Sequence, residues 1–333
     1  MKKILTISIA AYNVEQYIRK TLDSLIINNM DCLEVLIIVD GGNDKTLEIA
    51  KEYESKYPNT FKAVYKENGG YGSTINKGIE LATGKYFKQL DGDDWFDTNN
   101  LEKICNELMK MPDVDVVYTP YIKYMEKDGT EIIKRNNIEE YIEENNLENI
   151  IQKVETQMIM HSLMYKTEIL KENGIKIDEK CFYTDTEYAI FPLFYAKTIK
   201  IYNIPLYVYR IGISGQSISF EGRIKHHQDH EKVDKSVIEK YKMNLNITQN
   251  LKKYIEMYMM KMFCGTINNF LLILPTNKAE FNHIKEFDKQ ILELNPEIYN
   301  QMEKESKCIK LLRTNNYFAY LLCHLIRKSK LKK

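Results

Sequence analysis

An open, mostly parallel α/β sheet followed by a C-terminal α-helical region is the fold class that this sequence predicts. Three observations carry the prediction. Short apolar runs rich in β-branched residues alternate with segments of helical periodicity over residues 4–90, the rhythm of strands joined by crossover helices. Three of those runs end in polar turns, Ala11-Tyr12-Asn13, Asp40-Gly41-Gly42 and Asp91-Gly92-Asp93, and ligands bind beyond the carboxyl ends of the strands in such a sheet. From about Asp229 onward only helical periodicity remains, so residues 1–225 are expected to form the sheet domain and residues 226–333 a helical one.

Residues 4–10 read as the first strand, and Asn13, with Gln16 three positions on, as the N-cap of the helix that follows. Val14, Tyr17, Ile18, Thr21, Leu22, Leu25 and Ile26 give that helix one apolar stripe. Residues 34–40 are nearly continuous in apolar side chains and end in an acid and two glycines, the pattern of a central parallel strand. A helix over 46–57, a strand over 61–65, a helix over 73–82 and a buried strand over 84–90 continue the alternation. Asp128-Gly129 reads as a hairpin turn between strands 121–125 and 131–133. Residues 135–149, rich in Asn and Glu, read as a solvated helix and loop. Thr184-Asp185 opens a helix that runs through Tyr188 and Phe191, and strands at 199–201 and 207–210 close the first domain.

Lys plus Arg and Asp plus Glu each number 47, and this balance speaks against a nucleic-acid partner, which usually leaves a basic excess. The six cysteines are scattered without a C-x-x-C pair, the usage of reduced core thiols in a cytoplasmic protein rather than of a zinc site. The charged start at Met1-Lys2-Lys3 is followed by an apolar run too short for a signal peptide, and nothing approaches the roughly 18 apolar residues of a spanning helix. A soluble protein, or one peripheral to the inner face of the cell membrane, is expected.

The chemistry concentrates at Asp91-Gly92-Asp93-Asp94. Three carboxylates within four residues repel one another unless a cation sits among them, which points to a hard divalent metal and hence to a diphosphate. The bland reading is a turn built from turn-forming residues. Gly69-Gly70-Tyr71-Gly72, ahead of a helix, offers backbone N–H groups that could approach a phosphate or could simply turn the chain. Trp95 either stacks on a sugar or anchors the next helix, and Asp185 is either a catalytic acid-base group or a helix cap.

The segments 8–15, 36–44, Gly69-Gly70 with Asn76-Lys77-Gly78, and 90–94, in that order, resemble the nucleotide-diphospho-sugar domain of family 2 glycosyltransferases, with the GT-A fold, over roughly residues 1–211. The resemblance implies an inverting, metal-dependent transferase, hexosyl or N-acetylhexosaminyl, that moves a sugar from a UDP-sugar to a hydroxyl of a glycan or cell-surface polymer. It implies a nucleotide site from Ala10, Ala11, Tyr12, Glu15, Asp40, Gly69, Gly70, Asn76, Asp91 and Gly92. It also implies Mn2+ or Mg2+ on Asp91 and Asp93, and Asp185 as the base. Asp94, Trp95, Thr184, Arg210 and His226 are assigned to the acceptor or donor sugar. Two positions depart from the family pattern: Ile75 stands where relatives carry Arg, and Thr184 where they carry Glu. Segment 209–219 also resembles the stretch that follows this domain in bacterial surface-polysaccharide transferases.

Two other functions use similar parts. A non-catalytic nucleotide-binding or scaffold module would have lost the metal acids or the base, whereas Asp91, Asp93 and Asp185 are all present. A nucleotidyltransferase usually carries a Gly-rich, Lys- or Arg-bearing loop after its first strand, where this chain has Ala10-Ala11-Tyr12-Asn13. In the C-terminal region, Ile309, Leu312, Asn316, Ala319, Cys323 and Ile326 are read as one face of a helix over 308–326, with a basic run over 327–333 behind it. That end either docks on anionic lipid or packs as a terminal helix with a solvated tail. His226, His227 and His230 either lend the metal a nitrogen or lie together on the surface, and self-association as a homo-oligomer is left open.

Overall fold

The computed structural model describes residues 3–213, 215–275 and 278–331. Met1 and Lys2 of the charged start, Ser214, and the last two lysines of the basic tail lie outside them. The chain divides into two compact units, residues 1–213 and 214–333. The division falls ahead of the expected boundary at 225/226, because the chain leaves its last strand at Ile211 and the helix Phe220–Lys225 already belongs to the helical unit.

The strands of the first unit are β1 (Leu5–Ala11), β2 (Leu33–Asp40), β3 (Phe61–Lys66), β4 (Tyr86–Asp91), β5 (Trp95–Phe96), β6 (Val116–Tyr118), β7 (Tyr121–Met125), β8 (Thr130–Lys134), β9 (Leu163–Lys166), β10 (Ile199–Ile201) and β11 (Tyr207–Ile211). Seven form the central sheet in the order β10-β6-β9-β4-β1-β2-β3, and β5-β11-β7-β8 form a second sheet. The central sheet is parallel except at β9, which runs against both β4 and β6. Ile7, Ile9, Val35 and Ile37 are fully buried, each contributing about 1.5–3 kcal/mol. Covered on both faces, β1 and β2 carry the continuous apolar runs seen in the sequence. Register then fixes the site: Ala10 lies beside Asp91 and Ala11 beside Val39, so the carboxyl ends of β1, β2 and β4 form one edge.

The hairpin of β7 and β8 turns at Asp128-Gly129 as expected. The segment 135–149 is largely exposed, as expected, and is anchored by the buried Asn136, Ile138 and Leu147. Ile138 is fully buried, and Asn136 is tied to Tyr118 and to the carbonyls of Thr156 and Gln157.

The second unit contains the helices Phe220–Lys225, His227–Met243, Gln249–Phe270, Lys278–Leu294, Pro296–Glu305, Lys307–Thr314 and Tyr320–Leu331. Met259, Phe263, Phe270 and Phe287 are buried in its core. The expected single helix over 308–326 is two helices, broken where Asn316 and Tyr317 take φ of 47° and 67°. Ile309, Leu312 and Cys323 are buried, while Leu321, Leu322 and Leu325 of the last helix point outward. All six cysteines are buried and unbridged. Among the described residues no helix is long and apolar enough to cross a membrane.

Candidate active site

The turn after β1 is tied to the turn after β2. Asn13 adopts φ 52° and its side-chain oxygen accepts the Asn43 N–H at 2.9 Å. It therefore does not cap the following helix, which starts at Ile18 behind Tyr17. Thr46 Oγ1 accepts the Val14 N–H at 3.0 Å, Asp44 accepts the Glu15 N–H at 2.9 Å, and Glu15 accepts the Lys45 N–H at 2.8 Å. Glu15, expected at the nucleotide, takes part in this tie through one carboxylate oxygen and is exposed. Ala11 is buried and Tyr12 is 53% exposed, so the turn offers an aromatic face at the sheet edge.

Asp40 and the glycine loop explain each other. The Asp40 carboxylate, 2% exposed, accepts the Gly69 and Gly70 N–H groups at 2.9 Å each, the Lys66 ammonium at 2.5 Å and, more weakly, the Ser73 hydroxyl at 3.3 Å. The anion that this loop holds is the chain's own Asp40. The glycine N–H groups and the Asp40 carboxylate are thus paired with one another inside the chain. Asn76 is committed as well. It donates to the Ile177 carbonyl and Glu179 and accepts the Ile177 N–H, which fastens its helix to segment 177–179. Gly72 packs so closely on that segment that a Cβ would lie 2.0 Å from the Asp178 carbonyl. Gly72→Ala should therefore cost roughly 1–3 kcal/mol or more through overpacking against backbone, read as a lower midpoint in chemical denaturation; an unchanged midpoint would contradict this packing.

The acidic turn is braced from every side. Gly92 donates to the Ala10 carbonyl at 3.0 Å, and a Cβ there would lie 2.8 Å from that oxygen. Thr21 Oγ1 donates to the Gly92 and Asp94 carbonyls. The Tyr71 hydroxyl donates to Asp91 at 2.7 Å; Asp94, 1% exposed, accepts the Tyr207 hydroxyl and the Arg210 N–H at 2.7 Å each. Desolvation and the charge of Asp93 push the Asp91 carboxyl up to about 7. Burial also raises Asp93, and it raises Asp94 well above the ordinary carboxylate range, with Asp93 and Asp91 adding to the effect.

Residues that sequence reasoning passed over complete this cluster. His161, 6% exposed, stacks with Tyr121 and meets Tyr207 and Tyr209 at ring distances of 4.6 and 4.4 Å. Burial and the nearby Lys88 hold its imidazole neutral, pushed down to about 3. Asp91, Asp94 and His161 each offer a ligand atom within 4.8 Å of the others. Hard carboxylate oxygens and a neutral imidazole are donors that fit a divalent cation. Lys88 is fully buried in β4 and donates to the Met160, His161 and Leu163 carbonyls at 2.7–3.0 Å. The signal for it was a lysine inside an apolar strand.

Asp185 sits at the first turn of the helix Asp185–Ile190, with Thr184 as the N-cap residue. It is half-buried and raised by desolvation, and its charge acts on Asp91, Tyr71 and Tyr209. The topology thus brings it to the acidic turn. Glu187, the neighbouring acid, is fully buried and accepts the Asp178 N–H at 2.7 Å. Trp95 is engaged by Lys20, whose ammonium lies 3.2 Å from the ring centre, and by Arg210 at 4.9 Å. Arg210 is 7% exposed, donates to the Asp93 carbonyl at 2.9 Å and pairs with Glu126 at 3.2 Å. Both residues brace the turn. His226, His227 and His230 belong to the second unit, where His226 lies 3.5 Å from Asp229 and His227 Nδ1 lies 2.8 Å from the Ile224 carbonyl.

Residues 6–174, half of the chain, match the family described as glycosyl transferase family 2. The chain is 28% identical to EpsH of Bacillus subtilis over 213 residues, which are 62% of this chain and 60% of that protein. It shares its fold with S. aureus TarS, solved with UDP-GlcNAc, at a TM-score of 0.63 and 17% identity over 98% of this chain and 92% of the other. A mannosyltransferase of Pyrobaculum calidifontis, solved with GDP-Man and Mn2+, gives a TM-score of 0.53 and 14% identity, over 98% of this chain and 87% of that one. The matched segment contains the turns after β1 and β2, the glycine loop and the acidic turn, the same segments on which the sequence resemblance rested: the chain belongs to glycosyl transferase family 2.

Proposed function

We propose that the first unit transfers a sugar from a nucleotide-sugar, preferentially a UDP-sugar, to a hydroxyl of a glycan or cell-surface polymer, with inversion at the anomeric carbon. The observation that carries this reading is the meeting of Asp91, Asp93 and Asp185 at the carboxyl edge of a mostly parallel sheet, beside the exposed ring of Tyr12. Tyr12 stacks on the nucleobase. Asp91 and Asp93 would hold Mn2+ or Mg2+, whose positive charge stabilises the departing diphosphate. Asp185 takes the proton of the acceptor hydroxyl. Asp40, Asn76, Arg210 and Trp95 keep the loops around these groups in place. TarS with UDP-GlcNAc and the mannosyltransferase with GDP-Man and Mn2+ support the reading by showing this fold with nucleotide-sugars. Release of free nucleoside diphosphate from a panel of UDP-, GDP- and CDP-sugars tests it. UDP release from at least one UDP-sugar in the presence of Mn2+ is expected, and release from none of the panel would contradict it.

The raised Asp91 carboxyl makes cation binding depend on pH. Because the folded state keeps its proton up to about 7, the metal-free fold binds more protons than the unfolded chain between about 4 and 7. Its stability from this group is full at low pH and is lost as pH rises through 7. A cation must displace that proton, so affinity should fall about tenfold per pH unit below 7. The thermal shift produced by Mn2+ should be larger at pH 7.5 than at pH 5.5. Equal shifts at the two pH values would refute the assignment of Asp91 to the cation.

A further inference from the structure

Resting on the cation reading above, we infer that His161 gives the ion on Asp91 a nitrogen ligand, with Asp94 as a further oxygen ligand, and that this mixed donor set selects Mn2+ over Mg2+. His161 is 6% exposed, and among the described residues neither ring nitrogen has a hydrogen-bond partner. A buried imidazole with both nitrogens idle forfeits the hydrogen bonds it had in water. Here a ring nitrogen, an Asp91 oxygen and an Asp94 oxygen lie within 4.8 Å of one another, a spacing that one ion can bridge. The ring is held for the purpose. Lys88 grips the carbonyls on both sides of it and its own, and Tyr121, Tyr207 and Tyr209 pack around it.

The carboxylates are positioned from the same shell. Tyr71 donates to one oxygen of Asp91, and Tyr207 and the Arg210 N–H donate to the two oxygens of Asp94. Each such oxygen keeps lone-pair capacity for an ion. The expected pair Asp91/Asp93 is thereby extended to a site with an inner wall of Asp94 and His161. Mg2+ takes near-ideal octahedral oxygen sets and keeps its waters, whereas imidazole favours first-row transition ions. A nitrogen donor therefore tilts the site away from Mg2+.

The test is pulsed electron paramagnetic resonance of Mn2+ bound to the full chain with UDP, read for coupling to nitrogen. The wild type should show imidazole 14N coupling that changes to 15N when histidine is labelled, an experiment that requires no variant. His161→Phe, which keeps a ring among the three tyrosines, should lose the coupling and weaken Mn2+ binding by at least about tenfold, the low end for partners one step further from a metal. Its Mg2+ affinity should change less, so the Mn2+ to Mg2+ affinity ratio should fall. Bound Mn2+ without nitrogen coupling, or coupling that survives in a folded His161→Phe protein, would overturn the role of His161 while leaving the cation reading intact. Failure of the wild type to retain Mn2+ at all would overturn both.

Discussion

Asp185→Asn should lower kcat by about 10²–10⁴ while leaving nucleotide affinity nearly unchanged. In the proposed function Asp91 and Asp93 would hold the cation on the donor, and Asp94 is 1% exposed, so the acceptor hydroxyl needs another carboxylate. Asp185 is half-buried and close enough to act electrostatically on Asp91. Glu187 is fully buried and holds the Asp178 N–H, which removes the nearest alternative. Burial raises the Asp185 carboxyl above its ordinary value of 3.8, so the base form is lost as pH falls and the acid limb of kcat should lie above that value. The Asn variant should lack this limb. A base on the acceptor side implies a single displacement, so an α-linked donor should give a β-linked product. A normal rate in Asp185→Asn, or an α-linked product, would sink the assignment.

Asp288→Ala should destabilise the helical unit by about 3–5 kcal/mol, because it takes the nearer counter-charge from a buried guanidinium and leaves it the longer pair with Glu303 at 3.6 Å. Asp288 and Arg313, with side chains 3% and 6% exposed, meet through two hydrogen bonds at 2.6 and 3.0 Å. The Tyr317 hydroxyl donates to the same carboxylate at 2.5 Å, and Arg313 also donates to the Tyr299 carbonyl at 2.6 Å while lying 3.4 Å over its ring. One residue thus joins the helices Lys278–Leu294, Pro296–Glu305 and Lys307–Thr314. Chemical denaturation followed by circular dichroism measures the loss. A change under 1 kcal/mol would show that the hub is a minor contributor.

Most of the first unit was legible in the sequence because its strands are buried on both faces and its helices have one apolar stripe, so local pattern and tertiary environment agree at β1, β2 and β4. The acidic turn was legible for a different reason: like charges crowded into four residues demand a physical explanation. What escaped was settled by contacts distant in sequence. Asp40 ends a strand as a ligand-binding acid would, yet the loop that occupies it lies some thirty residues on, at Gly69 and Gly70. Asn76 is claimed by Ile177, and His161 reaches Asp91 through the antiparallel placement of β9 beside β4. No spacing in the sequence announces such pairs. In the second unit, the turn at Asn316-Tyr317 interrupts a helical period that the residues alone would continue.

In the proposed function the carboxylates after β4 bind a nucleoside diphosphate through a divalent cation. Isothermal titration of UDP into the full chain, with Mn2+ and then with excess EDTA, measures this dependence. Without a cation Asp91 and Asp93 would face the diphosphate with like charge. Binding should therefore appear with Mn2+, vanish in EDTA and weaken in Asp93→Asn. Equal UDP affinity in Mn2+ and in EDTA would show that the diphosphate binds without a cation on Asp91 and Asp93.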